Sequence, residues 1–166
     1  MELYKKWPAE KVLSAVEELK KRYPFTPKEG HNENSPYGNY IHFCKSCYMC
    51  FDAGHDEDCA YLYDSFYNKN CFDMTYASQH NQVSYEIVDS GNLFNCSFTV
   101  GSSDCHDSSF LYNCRNVKNS LGCNSLQNKQ YCILNRQFTK EEYERISKQI
   151  LEELKAKNLG WANIKI

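Results

Sequence analysis

Cysteine recurs at fixed intervals along the middle of this chain, and that regularity is the strongest constraint on its fold. Cys47, Cys59 and Cys71 are twelve residues apart. Ser84 follows thirteen residues later, and Cys96 comes twelve after that. From there the interval shortens to nine residues, through Cys96, Cys105, Cys114, Cys123 and Cys132. Fixed-period repeats of this kind indicate a solenoid, in which each repeat is a unit that stacks on its neighbours.

Further columns appear when the twelve-residue units are aligned on these positions. The residues three positions later are mostly apolar: Cys50, Leu62, Met74, Ile87 and Thr99. The residues six positions later are all small: Ala53, Ser65, Ala77, Ser90 and Ser102. The residue just before the aligned position is usually Asp, Asn or Ser, types that favour turns and left-handed backbone. The pattern predicts an all-β solenoid in which inward residues alternate with turn formers and neighbouring coils lie about 4.8 Å apart.

Cysteine is well suited to the inside of such a coil, because it is small, packs like an apolar residue and does not demand a strong hydrogen-bond partner. We therefore predict an internal structural ladder of Cys47, Cys59, Cys71, Cys96, Cys105, Cys114, Cys123 and Cys132. The spacing leaves the coil length open. Either one repeat forms one coil, or two do, in which case the nine-residue units would give a narrower coil and a tapering C-terminal end.

Both ends of the chain carry amphipathic helix patterns, so we divide it into residues 1–25 (helix), 26–39 (linker loop), 40–137 (solenoid) and 138–166 (capping helix and tail). At the C-terminal end, Thr139 and Glu142 have capping-box spacing ahead of the apolar stripe Tyr143, Ile146, Ile150 and Leu154. Near the N-terminus the stripe is Val12, Leu13, Val16 and Leu19. Solenoid ends expose unpaired strand edges, so both helices are expected to cover an end or pack on the side.

The global composition excludes some function classes. A chain of 166 residues with a formal net charge of -2 fits one domain and offers no electrostatic attraction for nucleic acid. Its beginning lacks a secretion signal, and no apolar run is long enough for a membrane span. We therefore expect a cytoplasmic protein whose ten cysteines are reduced or bind metal.

The repeats and their C-terminal boundary also resemble a family. The stretch LGCNSLQNKQYCILNRQFTKEEYE, with the pieces YMCFDA, DCAYLYDSFYNKNCFD and SSFLYNCRN, is similar to uncharacterised cysteine-rich repeat proteins of uncultured, small-genome bacteria. The resemblance covers residues 43–146 and implies the solenoid fold without implying an activity. Many of those proteins carry a zinc-ribbon-like segment before the repeats, whereas residues 1–40 here contain no cysteine.

The densest thiol cluster supports an alternative function. Cys44, Cys47, Cys50 and Cys59 could supply four thiolates to zinc or an iron–sulfur cluster, with zinc favoured because no ferredoxin-type proline or cysteine follows. The competing interpretation is structural, since Cys47, Cys50 and Cys59 already fit the repeat register. No cofactor is therefore expected from the repeat pattern, and a metal is the alternative.

Aromatic residues crowd the first half of the repeats and form the candidate partner surface. Tyr48, Phe51, Tyr63, Phe72 and Tyr85 fall in outward columns, where they could bind a protein or a carbohydrate, or simply pair across strands. An enzyme is the less favoured interpretation, because phosphate-loop, nucleophile-elbow and zinc-protease motifs are missing. A column of Asp52, Asp64 and Asp89 could serve a hydrolase, but aspartate is common in turns. We predict a non-enzymatic binding or scaffolding solenoid.

Overall fold

A computed structural model describes residues 8–22 and 30–159, and the predicted β-solenoid is confirmed. The described strands form one ten-stranded sheet in chain order, parallel throughout except for the last pair. The helices are α1 (Ala9–Arg22) and α2 (Lys140–Ala156). The strands are β1 (Tyr37–His42), β2 (Tyr48–Gly54), β3 (Ala60–Phe66), β4 (Phe72–Thr75), β5 (Tyr85–Val88), β6 (Phe94–Val100), β7 (His106–Tyr112), β8 (Arg115–Leu121), β9 (Gln127–Ile133) and β10 (Arg136–Gln137).

In the described solenoid the coil length is twelve residues, apart from a register shift at Tyr37, which pairs eleven positions on with Tyr48, and a thirteen-residue coil between β4 and β5. Phe51 pairs with Tyr63, twelve positions on, whereas Phe72 pairs with Tyr85, thirteen positions on. The twelve-residue offset continues where cysteines recur every nine residues, as in the pairing of Ser120 with Cys132. The nine-residue spacing therefore does not set the coil length, and the solenoid does not taper.

The structural unit within each coil is three residues long. One residue of each unit points inward and is buried, and the residue before it has a positive φ, as Asp58 (54°) does before Cys59 and Asn70 (54°) before Cys71. Bulky residues adopt the same conformation, including Phe98 at 54°. Such angles are uncommon outside Gly, Asn and Asp. Their regular recurrence gives each coil four inward positions.

Stacked coils align these inward positions into four columns that fill the interior. Column 1 contains Ser35, Cys47, Cys59, Cys71, Ser84, Cys96, Ser108, Ser120 and Cys132. Column 2 contains Cys50, Leu62, Met74, Ile87, Thr99, Leu111 and Cys123. Column 3 contains Ile41, Ala53, Ser65, Ala77, Ser90, Ser102 and Cys114. Column 4 contains Asn32, Cys44, Asp56, Asn68, Asn81, Leu93, Cys105 and Val117. The apolar bulk is concentrated in column 2.

Hydrogen bonding explains why small polar residues occupy so much of this interior. The amides flanking an inward residue bond to neighbouring coils, as Tyr48 N does to Cys59 O (3.0 Å) and Asp58 N to Lys45 O (2.9 Å). At many inward positions the inward residue's own amide instead donates to the inward side chain of the preceding coil. Cys114 N, for example, donates to Ser102 Oγ at 3.0 Å. A buried amide without an acceptor is costly, so serine, asparagine, aspartate and cysteine satisfy this backbone from inside.

The C-terminal helix packs on the side of the solenoid rather than across its end. The predicted capping box at Thr139 is present. The stripe of α2 packs with an outer row of the last coils in one apolar cluster: Phe98, Phe110, Leu121, Ile133, Tyr143, Ile146, Ile150 and Leu154. Of the two expected positions, an end of the solenoid and its side, the helix occupies the side. The helix follows the apolar row, and β10 pairs antiparallel with the last parallel strand, β9.

The N-terminal region differs from the sequence expectation in two respects. Helix α1 forms as predicted, but none of its residues is buried, so its apolar stripe does not cover the first coil. The solenoid also begins before Tyr40, because Glu33 already bridges to Lys45 and Asn32 Oδ1 accepts from Cys44 N. Asparagine and serine in this segment satisfy inward amides, whereas their composition had indicated a linker. Neither described helix is long and apolar enough to cross a membrane.

The role of interior acceptors is testable at Ser102. Replacing Ser102 by Ala removes the acceptor for the buried Cys114 amide, so we expect a loss of about 1–3 kcal/mol in unfolding free energy by denaturant titration. Ser102→Cys keeps an acceptor and should lose less. Ser103→Ala, at the neighbouring outward position, is the matched control. Equal stability of Ser102→Ala and Ser103→Ala would contradict the proposed role.

Candidate functional site

All ten cysteines are buried and free, and none is paired in a disulfide. The eight residues predicted as a ladder point into the interior, but they do not form one row. Five lie in column 1: Cys47, Cys59, Cys71, Cys96 and Cys132. Cys105, Cys114 and Cys123 lie in columns 4, 3 and 2, respectively. From Cys96 onward the cysteines thus step diagonally across the interior, one column per coil.

A spacing of nine residues is one coil less one three-residue unit, so it places each cysteine one column away from the last in the next coil. Every inward thiol lies within hydrogen-bonding reach of the carbonyl two residues before it, and all except Cys71 and Cys132 also reach the carbonyl nine residues after them. The second carbonyl belongs to an inward residue of the next coil. Cys96 Sγ therefore donates to Cys105 O at 3.4 Å, and Cys114 Sγ donates to Cys123 O at 3.3 Å. Sulfur also accepts from the next coil, since the Ser108 amide bonds to the Cys96 thiol.

The interior environment raises the pKa of most of these thiols. Burial raises the pKa of Cys96 to about 12 and that of Cys105 to about 11. For Cys44, the hydrogen bond with the Cys47 thiol and burial raise the pKa further. The thiolate is the reactive and metal-binding form of cysteine. Cys71 is different, because its hydrogen bond with the Cys59 thiol lowers its pKa. Thiol chemistry at neutral pH is therefore disfavoured at Cys44, Cys96 and Cys105.

The four residues proposed as metal ligands lie in neighbouring coils, and the Cys47 thiol is within hydrogen-bonding range of the Cys44, Cys50 and Cys59 thiols. Cys47 Sγ donates to Asp56 O at 3.3 Å, and Cys59 Sγ donates to Glu57 O at 3.2 Å. Cys44 and Cys50 likewise contact backbone carbonyls. Among residues 8–22 and 30–159, no group of three or more histidine, cysteine, aspartate or glutamate side chains is placed to hold a metal ion.

Column 4 contains a buried polar ladder that the sequence did not reveal. Asn68 Nδ2 donates to Asp56 Oδ1 at 3.0 Å, and Asn81 Nδ2 donates to Asn68 Oδ1 at 2.9 Å. Asp56 is 1% exposed, and its Oδ2 is the buried side-chain oxygen in the described chain that has no partner. Burial raises the pKa of Asp56 to about 7. The ladder thus contains one carboxyl group that titrates near neutrality.

The ladder geometry identifies the acceptor that a protonated Asp56 would use. Asn32 and Asn68 each donate Nδ2 to the carbonyl nine residues ahead, those of Ile41 and Ala77. The equivalent carbonyl for Asp56 is that of Ser65. A neutral carboxyl group at this position would therefore mimic the asparagine amide, with its O–H in place of an N–H.

The predicted partner surface lies on two outer rows in matching register, with a third outer row, which includes Tyr61, between them. Tyr48, Ala60, Phe72 and Tyr85 follow one another through paired strands, as do Phe51 and Tyr63. Exposed neighbours extend these rows. We call the resulting surface the aromatic wall, formed by Tyr37, Tyr48, Phe51, Tyr61, Tyr63, Phe72, Tyr76 and Tyr85. Edge-to-face pairs such as Tyr48 and Tyr61, with ring centroids 5.8 Å apart, order its side chains.

The aromatic wall is continuous with the surface that α2 covers. Its row through Tyr85 leads, in the same register, through Ser97 and Ser109 to Leu121 and Ile133. Beside these serines the aromatic surface continues, because Phe98 packs edge-to-face with Tyr85 (5.6 Å between centroids) and stacks on Phe110 (4.7 Å) in the α2 cluster. Tyr48, Phe72 and Tyr85 are 41–46% exposed, whereas Leu121 and Ile133 under α2 are 4% and 6% exposed. One apolar outer face is therefore covered at its C-terminal end and open at its N-terminal end.

A second aromatic ladder was not recognised in the sequence, because histidines alternate in it with phenylalanine and tyrosine. The rings of His31, Phe43, His55, Tyr67 and His80 stack face to face on another outer row. Neighbouring centroids are 4.7–5.5 Å apart, with interplanar angles of 5–25°. The twelve-residue spacing of the first four would have revealed the row had histidine been grouped with the aromatics. Because each inner ring face is already occupied, the row presents mainly ring edges to solvent.

The aspartates considered for hydrolysis serve the backbone instead. Asp52, Asp64 and Asp89 have φ values of 51°, 48° and 48°, and each precedes an inward residue. Asp and Asn tolerate this conformation better than most residues. Their positions are accounted for by the three-residue unit without a catalytic role.

Comparison with known proteins adds little beyond the fold. No protein-family model and no curated protein matches this chain. Similar solved structures include a Bacillus cereus protein assigned as an acetyltransferase, at 9% identity and a TM-score of 0.21, covering 76% of this chain and 91% of that one. Another, assigned likewise and from Desulfovibrio desulfuricans G20, has 13% identity and a TM-score of 0.19, covering 60% of this chain and 29% of that one. Likeness at this level carries no inference about function.

Titration of Asp56 should make stability depend on pH. An unfolded aspartate has a pKa of about 3.9, so from roughly pH 4 to 7 the folded chain holds a proton that the unfolded chain has lost. The stabilisation is complete below pH 4. It declines by up to about 1.4 kcal/mol per pH unit as pH rises, and levels off above pH 7.

Asp56→Asn tests this assignment. The variant should be more stable than the wild type at pH 8, similar at pH 4, and should lack the decline between them in urea titrations. Asp58→Asn, at the exposed position two residues later, is the control. A decline that persists in Asp56→Asn would contradict the assignment.

The buried thiols should resist modification. In the native protein we expect no rapid reaction with 5,5′-dithiobis(2-nitrobenzoate), and ten equivalents should react after unfolding in guanidinium chloride. The expected cause is burial of the protonated thiol, so any native reaction should follow the unfolding rate. A thiol that reacts at the rate of free cysteine under native conditions would contradict this assignment.

Proposed function

We propose that this protein is a non-enzymatic binding module that receives a partner protein on the aromatic wall. The observation that carries the proposal is the continuation of the α2-covered apolar face into exposed aromatic rows. Exposed apolar patches of this kind mark interaction sites in soluble proteins, and tyrosine is enriched at interfaces. The parallel coils beneath hold the side chains in register at intervals of about 4.8 Å, which gives a preorganised surface.

The partner chemistry follows from what already binds this face. Helix α2 lies there through one apolar stripe, with Tyr143 packed beside Tyr131 at a centroid distance of 5.8 Å. An amphipathic helix of a partner would continue the same mode upstream. Acidic residues are interspersed with the open part: Asp73 and Glu86 share the row of Tyr61, and Asp52, Asp64 and Asp89 share the row of Tyr76. A helix with an apolar stripe and flanking lysine or arginine is the occupant that matches both features.

Selection from a displayed library of amphipathic helical peptides tests the proposal. We expect enrichment of peptides with apolar residues at i, i+3 or i+4 and i+7 and basic residues beside them. Tyr48→Ser/Phe72→Ser/Tyr85→Ser should weaken the dissociation constant of a selected peptide at least tenfold, since interface aromatics often contribute 2 kcal/mol or more each. Val83→Ser, which changes an exposed residue outside the aromatic wall, should leave it unchanged.

Three results would contradict the proposal. The first is equal binding of selected peptides to the triple variant and to the wild type. The second is binding of insoluble polysaccharides that is lost in the triple variant while peptides are not enriched. The third is peptide binding that appears only after Leu13→Glu/Val16→Glu, because that would identify α1 as the occupant.

A further inference from the structure

A polar notch opens in the outer surface at the thirteen-residue coil, beside the small residues of column 3. Its volume is about 280 Å³. Two outer rows and the inserted outward segment of that coil line it: Tyr76, Asp89 and Gly101 in one row, Ser78, Gly91 and Ser103 in the other, and Gln79 in the inserted segment. Of these residues, the notch shares only Tyr76 with the aromatic wall.

Two glycines keep the notch open. Gly91 bridges to Ser78 in the coil before it and to Ser103 in the coil after it, and a Cβ at Gly91 would overlap the carbonyl oxygen of Ser78. Gly101 has a φ of 60°, in the left-handed region that glycine adopts without strain. Each row therefore lacks a side chain at one coil, and these two gaps form the concavity.

The fold does not use the polar groups that line the notch. Among the described residues, no hydrogen bond or ion pair engages the side-chain polar atoms of Tyr76, Gln79, Asp89 or Ser103. Elsewhere on the outer surface, polar side chains pair across coils, as Asn92 Nδ2 does with Asp104 Oδ1 at 2.6 Å. The notch thus groups a phenol, an amide, a carboxylate and a hydroxyl group whose hydrogen-bonding capacity is available to a ligand.

We propose that the notch binds a neutral sugar ring. A sugar has an apolar C–H face and a rim of hydroxyl groups that donate and accept hydrogen bonds. Tyr76 supplies an aromatic ring whose negative π face attracts C–H groups, and its edge-to-face contact with Tyr63, with centroids 5.9 Å apart, orients it. The Asp89 carboxylate accepts from neighbouring hydroxyls, and the Gln79 amide both donates and accepts.

The size and chemistry of the notch favour this ligand over its competitors. Pockets for drug-sized ligands usually run from about 300 to 1,000 Å³, so about 280 Å³ matches a single ring. An alkylammonium cation would also suit an aromatic ring beside a carboxylate. It would leave the amide of Gln79 and the hydroxyl of Ser103 without a specific partner, whereas a ring with several hydroxyl groups uses them.

Saturation-transfer difference NMR of the full chain with the methyl glycosides of glucose, galactose and mannose tests the proposal. We expect transfer to the ring C–H protons of at least one of them. Asp89→Asn tolerates the φ of 48° but removes the charge and one acceptor, so it should weaken binding about tenfold. Tyr76→Ser should abolish transfer. Asp64→Asn and Tyr61→Ser, the matched changes outside the notch, should leave it unchanged.

The notch can be tested apart from the aromatic wall. Tyr48→Ser/Phe72→Ser/Tyr85→Ser keeps every notch residue, so it should bind the sugar as the wild type does, and loss of binding would overturn the proposal. Absence of transfer to all three glycosides would also overturn it, as would transfer that Asp89→Asn leaves unchanged or that Asp64→Asn reduces equally. Transfer to tetramethylammonium alone, lost in Asp89→Asn, would assign the notch to a cation. Circular dichroism of each variant checks that the solenoid is folded.

Discussion

The interior of this solenoid is governed by its inward-facing backbone amides. In each three-residue unit the two flanking residues can bond to adjacent coils, whereas the inward amide points into a space from which water is excluded. An unpaired amide there would cost about 1–3 kcal/mol, and inward amides recur in every coil. Side chains that accept a hydrogen bond solve it one coil at a time, as Ser120 does for Cys132. The interior is therefore built from small acceptors with an apolar minority, unlike an ordinary hydrophobic core.

Cysteine meets two requirements of that interior, whereas most residues meet only one of them. Its sulfur accepts from the amide of the next coil and donates weakly to carbonyls on two coils, as Cys105 does toward Ser103 and Cys114. It also packs as an apolar group, so a buried thiol that loses its carbonyl acceptor costs less free energy than a buried hydroxyl that does so. Raised thiol pKa values follow from the same burial. The abundance of cysteine is thus explained by backbone satisfaction without a need for metal or redox chemistry.

The sequence supported the fold, its twelve-residue register and the small column through Ala53, Ser65 and Ala77. It did not reveal the three-residue unit, because inward positions hold chemically different residues whose shared property is size or an acceptor atom. Both nine and twelve are multiples of three, so both spacings keep cysteine at inward positions. The shorter spacing therefore reflects a change of column, whereas the sequence pattern had indicated a change in coil length. The buried position of Asp56 was not predicted for a similar reason: residue type alone does not distinguish an inward aspartate from an outward one such as Asp58, two residues later.

The thirteen-residue coil shows which part of this architecture tolerates change. Its extra residue lies among outward positions, where Gln79 and His80 both adopt positive φ values of 75° and 63°. Inside, Asn81 still bonds to Asn68 at 2.9 Å, and outside, His80 still stacks on Tyr67 at 5.5 Å. The insertion is tolerated because outward side chains do not accept a hydrogen bond from an amide of the next coil. A shift of one residue at an inward position would instead displace the side-chain acceptors of its column from the amides that they bind. The outer surface is therefore the part of this fold that is free to vary, and a surface as ordered as the aromatic wall is not required by the interior beneath it.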